Sequence, residues 1–454
     1  MLPNIAQLSA DLALGKTTSR ELTEACLERI LDAGGEGPRT FTRVHADAAR
    51  AAADAADRLR RAGVTLSPIA GLPVSVKDLF DVAGEPTLAG SKVLCEAAPA
   101  AADAEVVARL RRAGAVVVGK TNMTEFAFSG LGLNPHYGTP RGPWDREVGR
   151  IPGGSSSGAA VSVTDRMAAF AIGTDTGGSV RIPAALCGLV GFKPTASRIP
   201  SSGCYPLSKT LDSIGPIAPT VACCAIVDAV LSGQPAPVPE ALPIAGLRLG
   251  VPCQYVLDGL DPEVARAFGA ALTALSSAGA RVVDLEFSAL LDLPAMHKDG
   301  GFAVLEAYAV HRRLIDEREA AYDPRVASRI LRGRGVGAAE YIDLVERRTS
   351  FIRNADRVMA PFDALAMPTA ALVAPPVAEL EASDEAYFRA NARALRNPSV
   401  VNFIDGCALS IPCHEPGTAP VGFMVAAPGG CDRRLLAVAL AVERALEPII
   451  RGKK

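Results

Sequence analysis

The chain opens with helical periodicity. Thr18 and Glu21 stand three residues apart, the spacing of a capping box, and Leu22, Ala25, Cys26, Ile30 and Ala33 then recur at helical spacing until Gly34 and Gly35 stop the run. Residues 45–62, Ala-rich and studded with Arg and Asp, predict a second surface helix. The period then changes. Residues 70–80 (AGLPVSVKDLF) read as a buried strand, 103–113 as a short amphipathic helix and 115–119 (AVVVG) as a β-branched strand.

Between about Leu131 and Pro219, Gly, Ser, Thr and Pro dominate, yet apolar runs at 167–172 and 186–192 interrupt them. A linker would lack such runs, so the stretch predicts a functional core built on tight turns. Beyond it, 245–251, 262–278 and 280–285 read as strand, helix and strand, a βαβ rhythm that argues for a sheet covered by helices. Residues 301–352 are helical and charged, 364–368 (ALAMP) and 408–412 (ALSIP) are short strands ending in Pro, and 433–447 forms a closing helix. With no internal repeat and no disordered linker, the expected architecture is one large α/β domain over 1–454.

Composition narrows the function classes. Hydrophobic residues make up 49% and charged residues 21%, the balance of a soluble globular protein. The formal net charge of −2 carries no footprint of nucleic acid or an anionic membrane. The clusters Arg109, Arg111, Arg112 and Arg332, Arg334 read as solvated faces. No apolar run approaches the roughly 18 residues of a membrane helix, and residues 1–13 lack a secretory pattern. Ten scattered cysteines without a CxxC pair predict free thiols in a reducing, cytoplasmic setting and no zinc ribbon.

Three stretches compete for the chemistry: 153–158 (GGSSSG), 173–183 (GTDTGGSVRIP) and 75–78 (SVKD). None matches the phosphate-binding GxxxxGK[ST], and Pro135 ends the GxGxxG that Gly130 and Gly132 begin. Gly154–Gly158 formally satisfies GxSxG, with Ser156 as nucleophile. That chemistry needs a downstream His. His297 and His311 fall on helical stretches and His414 follows a strand, positions that suit surface or capping roles better.

The third alternative uses all three stretches. A serine needs a base to attack an amide. Lys77, between Val76 and Leu79, lies in an apolar strand whose burial would keep its amine neutral. Ser179 follows Gly177 and Gly178, and consecutive glycines can turn several N–H groups toward one oxyanion. Ser155 has the hydroxyl, donor and acceptor, needed to pass a proton between Lys77 and Ser179. Taken singly, Lys77 reads as well as an edge lysine or as the partner of adjacent Asp78, and each Gly-Gly-Ser as a tight turn.

Together they are more specific. Residues 152–194 (PGGSSSGAAVSVTDRMAAFAIGTDTGGSVRIPAALCGLVGFKP) closely resemble the signature of the amidase signature family of serine hydrolases, with Ser155 and Ser179 at the family's separation of 24. Supporting matches are 70–80, 119–128 (GKTNMTEFAF), 135–143 (PHYGTPRGP), 210–216 (TLDSIGP) and 402–412 (NFIDGCALSIP); the resemblance is weakest over 254–398. It implies a mixed, mostly parallel central β-sheet covered by helices on both faces. The catalytic signature core then spans about 70–220, and a divergent, helical, substrate-side segment about 290–400.

The resemblance also implies roles. Lys77 matches the catalytic base, Ser155 the bridging serine after a non-proline cis peptide, and Ser179 the nucleophile that is acylated. The N–H groups of Thr176, Gly177, Gly178 and Ser179 match the oxyanion hole. Ser156 matches a position that orients the relay. Asp175 and Arg181 match supporting positions, with Arg181 alternatively a receptor for a substrate carboxylate.

No cofactor and no metal are implied. The expected partner is a small-molecule amide, with no nucleic acid directly, no membrane, and a homodimer left open. The rival within the family is the amidase-like subunit of a tRNA-dependent glutamine amidotransferase. Gly142 stands where many relatives have Asn, and Ser157, Ala159 and Ala160 replace a commoner Gly-Ser or Gly-Glu pattern. These departures touch substrate preference, not the triad. Residues 79–92 (LFDVAGEPTLAGSK) resemble bacterial amidases of urea-derived and other small substrates.

Overall fold

The first long helix starts where the capping residues place it. Thr18 Oγ1 accepts from the Glu21 N–H at 3.1 Å, and the Glu21 carboxylate accepts from the Thr18 N–H at 2.9 Å, so the helix Ser19–Leu31 begins with two of its free donors satisfied. The second spans Ala46–Arg61. The protein is seen in a computed structural model that describes residues 2–234 and 236–452.

Eleven strands among those residues form one sheet: β1 (Phe41–Val44), β2 (Pro73–Lys77), β3 (Val116–Thr121), β4 (Phe170–Asp175), β5 (Val190–Lys193), β6 (Ser213–Ala218), β7 (Arg248–Pro252), β8 (Arg281–Leu285), β9 (Ala364–Pro368), β10 (Cys407–Pro412) and β11 (Gly422–Ala427). Their spatial order is β1-β3-β2-β4-β6-β5-β10-β11-β9-β7-β8.

The sheet is mixed, as expected, but the expectation that it is mostly parallel needs correction. Four neighbouring pairs are parallel (β2–β3, β2–β4, β7–β8, β7–β9) and six are antiparallel. Parallel pairing appears where a helix makes the crossover, as the helix Pro262–Ser277 does between β7 and β8. Five of the six antiparallel pairs involve β1, β6 or β11. These strands are short or carry Gly and Pro (SIGPIA, GFMVAA), so no strand periodicity announces them.

Alternation along the strands divides the core in two. Val74, Val76, Phe170, Ile172, Leu409, Phe423 and Val425 enter the largest apolar cluster, under the helices Glu105–Arg112, Val221–Ser232 and Asp432–Ile450. On the other face Val116 and Val118 meet Leu27, Ile30, Ala49 and Ala53 of the first two long helices. Ala171 and Ile217 meet the helices Ser157–Thr164 and Arg181–Leu186, and Leu365, Met367, Met424 and Ala426 meet Ala338–Met359 and Asp384–Phe403. Helices therefore cover both faces.

The 301–352 stretch is not one helix. It divides into Gly301–Arg318, Pro324–Leu331 and Ala338–Met359, with breaks at Pro324 and at the glycines 333, 335 and 337. No helix among the described residues is long and apolar enough to cross a membrane.

Candidate active site

Parallel pairing of β2 with β4 brings the carboxyl ends of both strands to one edge of the sheet. Lys77 ends β2, and Thr174 and Asp175 end β4. Lys77 has no exposed surface. Its Nζ donates to Ser155 Oγ and to Thr174 Oγ1, each at 2.8 Å. The competing reading of Lys77 as the partner of Asp78 falls away, because Asp78 pairs with Lys120 at 2.7 Å. Burial penalises the ammonium form of Lys77 and pushes its pKa down to about 7, against the opposing pull of Cys204, Asp212 and Asp175. A large fraction of Lys77 is then neutral at neutral pH.

Ser155 follows a cis Gly154–Ser155 peptide, and its carbonyl accepts from the Thr124 N–H at 3.1 Å. Gly173 lets β4 press against this turn, since a Cβ there would sit 2.5 Å from Ser156 Oγ. Ser156 is fully buried, and its hydroxyl donates to the Thr174 carbonyl at 3.4 Å. The Ser156 N–H donates to the Ser179 carbonyl at 3.3 Å, joining the two serine loops. The hydroxyls of Ser155 and Ser179 make no hydrogen bond to each other among the contacts of the described residues.

The 175–181 loop is folded around a carboxylate. Asp175 Oδ1 accepts from the Gly178 N–H at 2.9 Å, and Oδ2 from the N–H groups of Val180 and Arg181 at 3.1 and 3.3 Å. Arg181 clasps the same carboxylate through Nε and Nη2 at 3.0 and 2.8 Å, with both side chains fully buried. Asn402 completes the knot, donating to Asp175 O and Oδ1 at 3.0 Å and accepting from Arg181 Nη2 at 2.6 Å. Burial alone would raise the Asp175 pKa; the charge and hydrogen bonds of Arg181 outweigh it and hold the carboxyl well below its ordinary range.

Arg181 therefore ties the loop down and has no free face for a substrate carboxylate. Removing one member of a buried pair leaves the other uncompensated, at a cost of about 3–5 kcal/mol. Arg181→Met is expected to lose stability of that order in a denaturant melt.

At Gly178 φ is +127°, and a Cβ would lie 2.6 Å from both Ile182 Cδ1 and Pro398 Cβ, so only glycine fits. Because the Gly178 N–H is taken by Asp175, it is not a free oxyanion donor in this structure. The N–H groups of Thr176, Gly177 and Ser179 have no partner among the described residues. Thr176 Oγ1 in turn donates to Asp212, which also accepts from the N–H groups of Leu207 and Ser208. Burial pushes the Asp212 carboxyl up to about 6.

Ser179, Thr176 and Gly177 face a cavity of about 190 Å³, walled by Phe128, Leu207, Leu211, Phe302, Leu395 and Arg329. Ser156 does not line it, and none of the three histidines considered above is bonded to Ser156. His311 bonds Tyr322 at 3.0 Å and is pushed by burial to about 4. His297, which ends the short helix Leu293–Met296, lines the cavity instead of lying on a free surface.

Three site residues were not singled out in the sequence. Thr174 and Asp212 lie inside quoted motifs but act only through contacts with residues distant in sequence, Lys77 and Thr176. Asn402 begins the 402–412 motif and reaches Asp175 across 227 positions of chain.

Comparison with known proteins accords with this geometry. The family model described as Amidase matches residues 21–436. A 2-amino-5-chloromuconic acid deaminase of Comamonas testosteroni is 39% identical, covering 97% of this chain and 96% of its own. A glutamyl-tRNA(Gln) amidotransferase subunit of Chloroflexus aggregans is 36% identical, covering 95% and 94%. A solved structure described as a crystal structure of amidase superposes with a TM-score of 0.88 at 31% identity, over 97% of this chain and 99% of that one. The chain belongs to the amidase signature family of amidohydrolases.

Proposed function

We propose that the protein hydrolyses the carbon–nitrogen bond of a small carboxylic amide through an acyl-enzyme on Ser179, with Lys77 as base and Ser155 as relay. The observation that carries this is the 2.8 Å contact from Lys77 Nζ to Ser155 Oγ, made by a buried lysine with no carboxylate partner among the described residues and a pKa near 7. Neutral Lys77 takes the Ser155 proton as Ser155 takes that of Ser179. The Ser179 oxygen bonds to the amide carbon, and the free N–H groups of Thr176, Gly177 and Ser179 receive the oxyanion. The proton returns through Ser155 to the leaving nitrogen as the C–N bond breaks, and water then hydrolyses the ester. The relay needs the Ser179 hydroxyl to turn toward Ser155, a tightening common once substrate binds.

The glutamine-dependent amidotransferase role of the second relative is less well supported. Free glutamine carries an α-ammonium, and among the described residues no Asp or Glu lines the cavity to receive one. The relative named for 2-amino-5-chloromuconic acid points instead to an acid as substrate.

The test is ammonia release by the isolated, EDTA-treated chain over a panel of short aliphatic, aromatic and ureido amides. Because the neutral lysine is the active form, kcat/KM should rise with pH through an apparent pKa near 7 and level off above it. Activity abolished by EDTA, or falling as pH rises from 6 to 8, would sink the mechanism.

A further inference from the structure

Apart from Ser179, the cavity holds one uncharged side chain with hydrogen-bonding groups to spare among the described residues. The other hydroxyls on its wall are engaged within the protein. Ser129 donates to Asn391 at 3.0 Å, Ser399 to the Arg396 carbonyl at 3.0 Å, and Thr176 to Asp212. Arg329 donates to the Phe128 carbonyl and has no acceptor to offer. His297 lines the same cavity, and its ring makes no hydrogen bond among the described residues.

The His297 ring is held by its surroundings. It meets Phe403 edge to face, with the ring centres 5.0 Å apart and the planes at 84°. On another side it packs against Gly301, where a Cβ would fall 2.6 Å from His297 Cδ2. The Gly300 N–H donates to the His297 carbonyl at 2.8 Å and closes the turn between the helices Leu293–Met296 and Gly301–Arg318. Burial pushes the imidazole pKa down, so at neutral pH the ring is uncharged and carries one N–H and one lone pair. Phe128, Leu207, Leu211, Phe302 and Leu395 offer that ring no side-chain partner, and a polar group left unmatched among apolar walls is costly.

We infer that the substrate is a short amide with a hydroxyl on its acyl chain, and that His297 binds this hydroxyl and sets the specificity of the site. This rests on Ser179 as the nucleophile. A hydroxyl suits the imidazole in either tautomer, donating to the lone pair or accepting from the N–H. An ammonium would meet the like charge of Arg329 in the same cavity, and a carboxylate is served only by the tautomer that turns its N–H inward. The cavity of about 190 Å³ falls below the roughly 300 Å³ at which pockets for drug-sized ligands begin, which keeps the acyl chain short. A site built to bond a substrate hydroxyl rejects the analogue without one, because its own polar group is then left unpaired.

Two measurements on the full chain separate this inference from the catalytic reading. The first is calorimetric binding of butyramide and of 2-, 3- and 4-hydroxybutyramide to the Ser179→Ala protein. The second is ammonia release from the same four compounds by the unmutated enzyme. Both are repeated with His297→Phe, which keeps a ring against Phe403 and Gly301, and with His297→Gln, which restores a donor and an acceptor. At least one hydroxyamide is expected to bind and turn over in preference to butyramide, by about tenfold in kcat/KM. His297→Phe should bring that ratio close to one, and His297→Gln should recover part of it. A preference that survives His297→Phe, or no preference for any hydroxyamide in the protein with His297 intact, overturns the inference. Hydroxyl-selective binding that His297→Phe abolishes, with no ammonia released by the unmutated enzyme, upholds His297 and overturns the hydrolase reading alone.

Discussion

Replacing Ser179 with alanine is expected to lower kcat by roughly 10⁴–10⁶, the scale on which serine hydrolases lose their nucleophile. The loss should be chemical and not structural. The Ser179 hydroxyl makes no hydrogen bond among the described residues and its backbone contacts survive the change, so the melting temperature should hardly move. Ser156→Ala is the control. Ser156 is the position a GxSxG elbow would use, yet its hydroxyl is enclosed and meets only the Thr174 carbonyl at 3.4 Å. Its removal should cost about tenfold or less. Steady-state ammonia release for the two variants decides between the chemistries, and the opposite ordering would move the nucleophile to Ser156.

Lys77→Met should lower kcat/KM by roughly 10²–10⁴, or about 3–5 kcal/mol of transition-state stabilisation, the usual worth of a general base. Lys77→Arg should not rescue it, because a guanidinium does not give up its proton in a protein. A second readout concerns stability. The Lys77 pKa falls from 10.5 to about 7 on folding. Between pH 7 and 9 the unfolded chain therefore keeps a proton that the folded chain releases. The unfolded state binds more protons, so stability rises with pH over this window, by about 2 kcal/mol from this group. Lys77→Met should lack that increment, while the titration of Asp212 and Glu443 continues in both proteins. Identical pH slopes would mean that Lys77 is not held neutral.

Much of the site was legible because its residues lie in compact stretches with unusual composition. Lys77 announced itself as a charge in an apolar strand, and the two Gly/Ser loops as turns too dense to be a linker. Arg181 was readable as a loop tie, and its bonds to Asp175 and Asn402 agree with that. The Gly178 N–H was expected to be free and is not, because the turn that brings Asp175 beneath it cannot be seen in a run of glycines.

Asp212 and Asn402 were invisible as site residues for a different reason. Asp212 precedes β6, which was not foreseen as the antiparallel neighbour of β4, and Asn402 reaches Asp175 from the end of the helix Asp384–Phe403. The mostly parallel expectation failed on β6 and β11: Pro216 interrupts β6, and β11 is buried on both faces, so neither shows an alternation. Arg329 lay in the helical 301–352 stretch, where nothing in the sequence distinguishes it from the arginines at 325, 332 and 334. Only its position on the cavity wall, without a carboxylate among the described residues, sets it apart.

The central claim, that Ser179 carries the acyl group, has a direct measurement. Cleavage after arginine places Ser155 and Ser156 in the peptide 151–166 and Ser179 in the peptide 167–181. Acid-quenched turnover followed by mass spectrometry should show the acyl increment on 167–181, removed by hydroxylamine. An increment on 151–166, or steady turnover with neither peptide modified, would contradict the account.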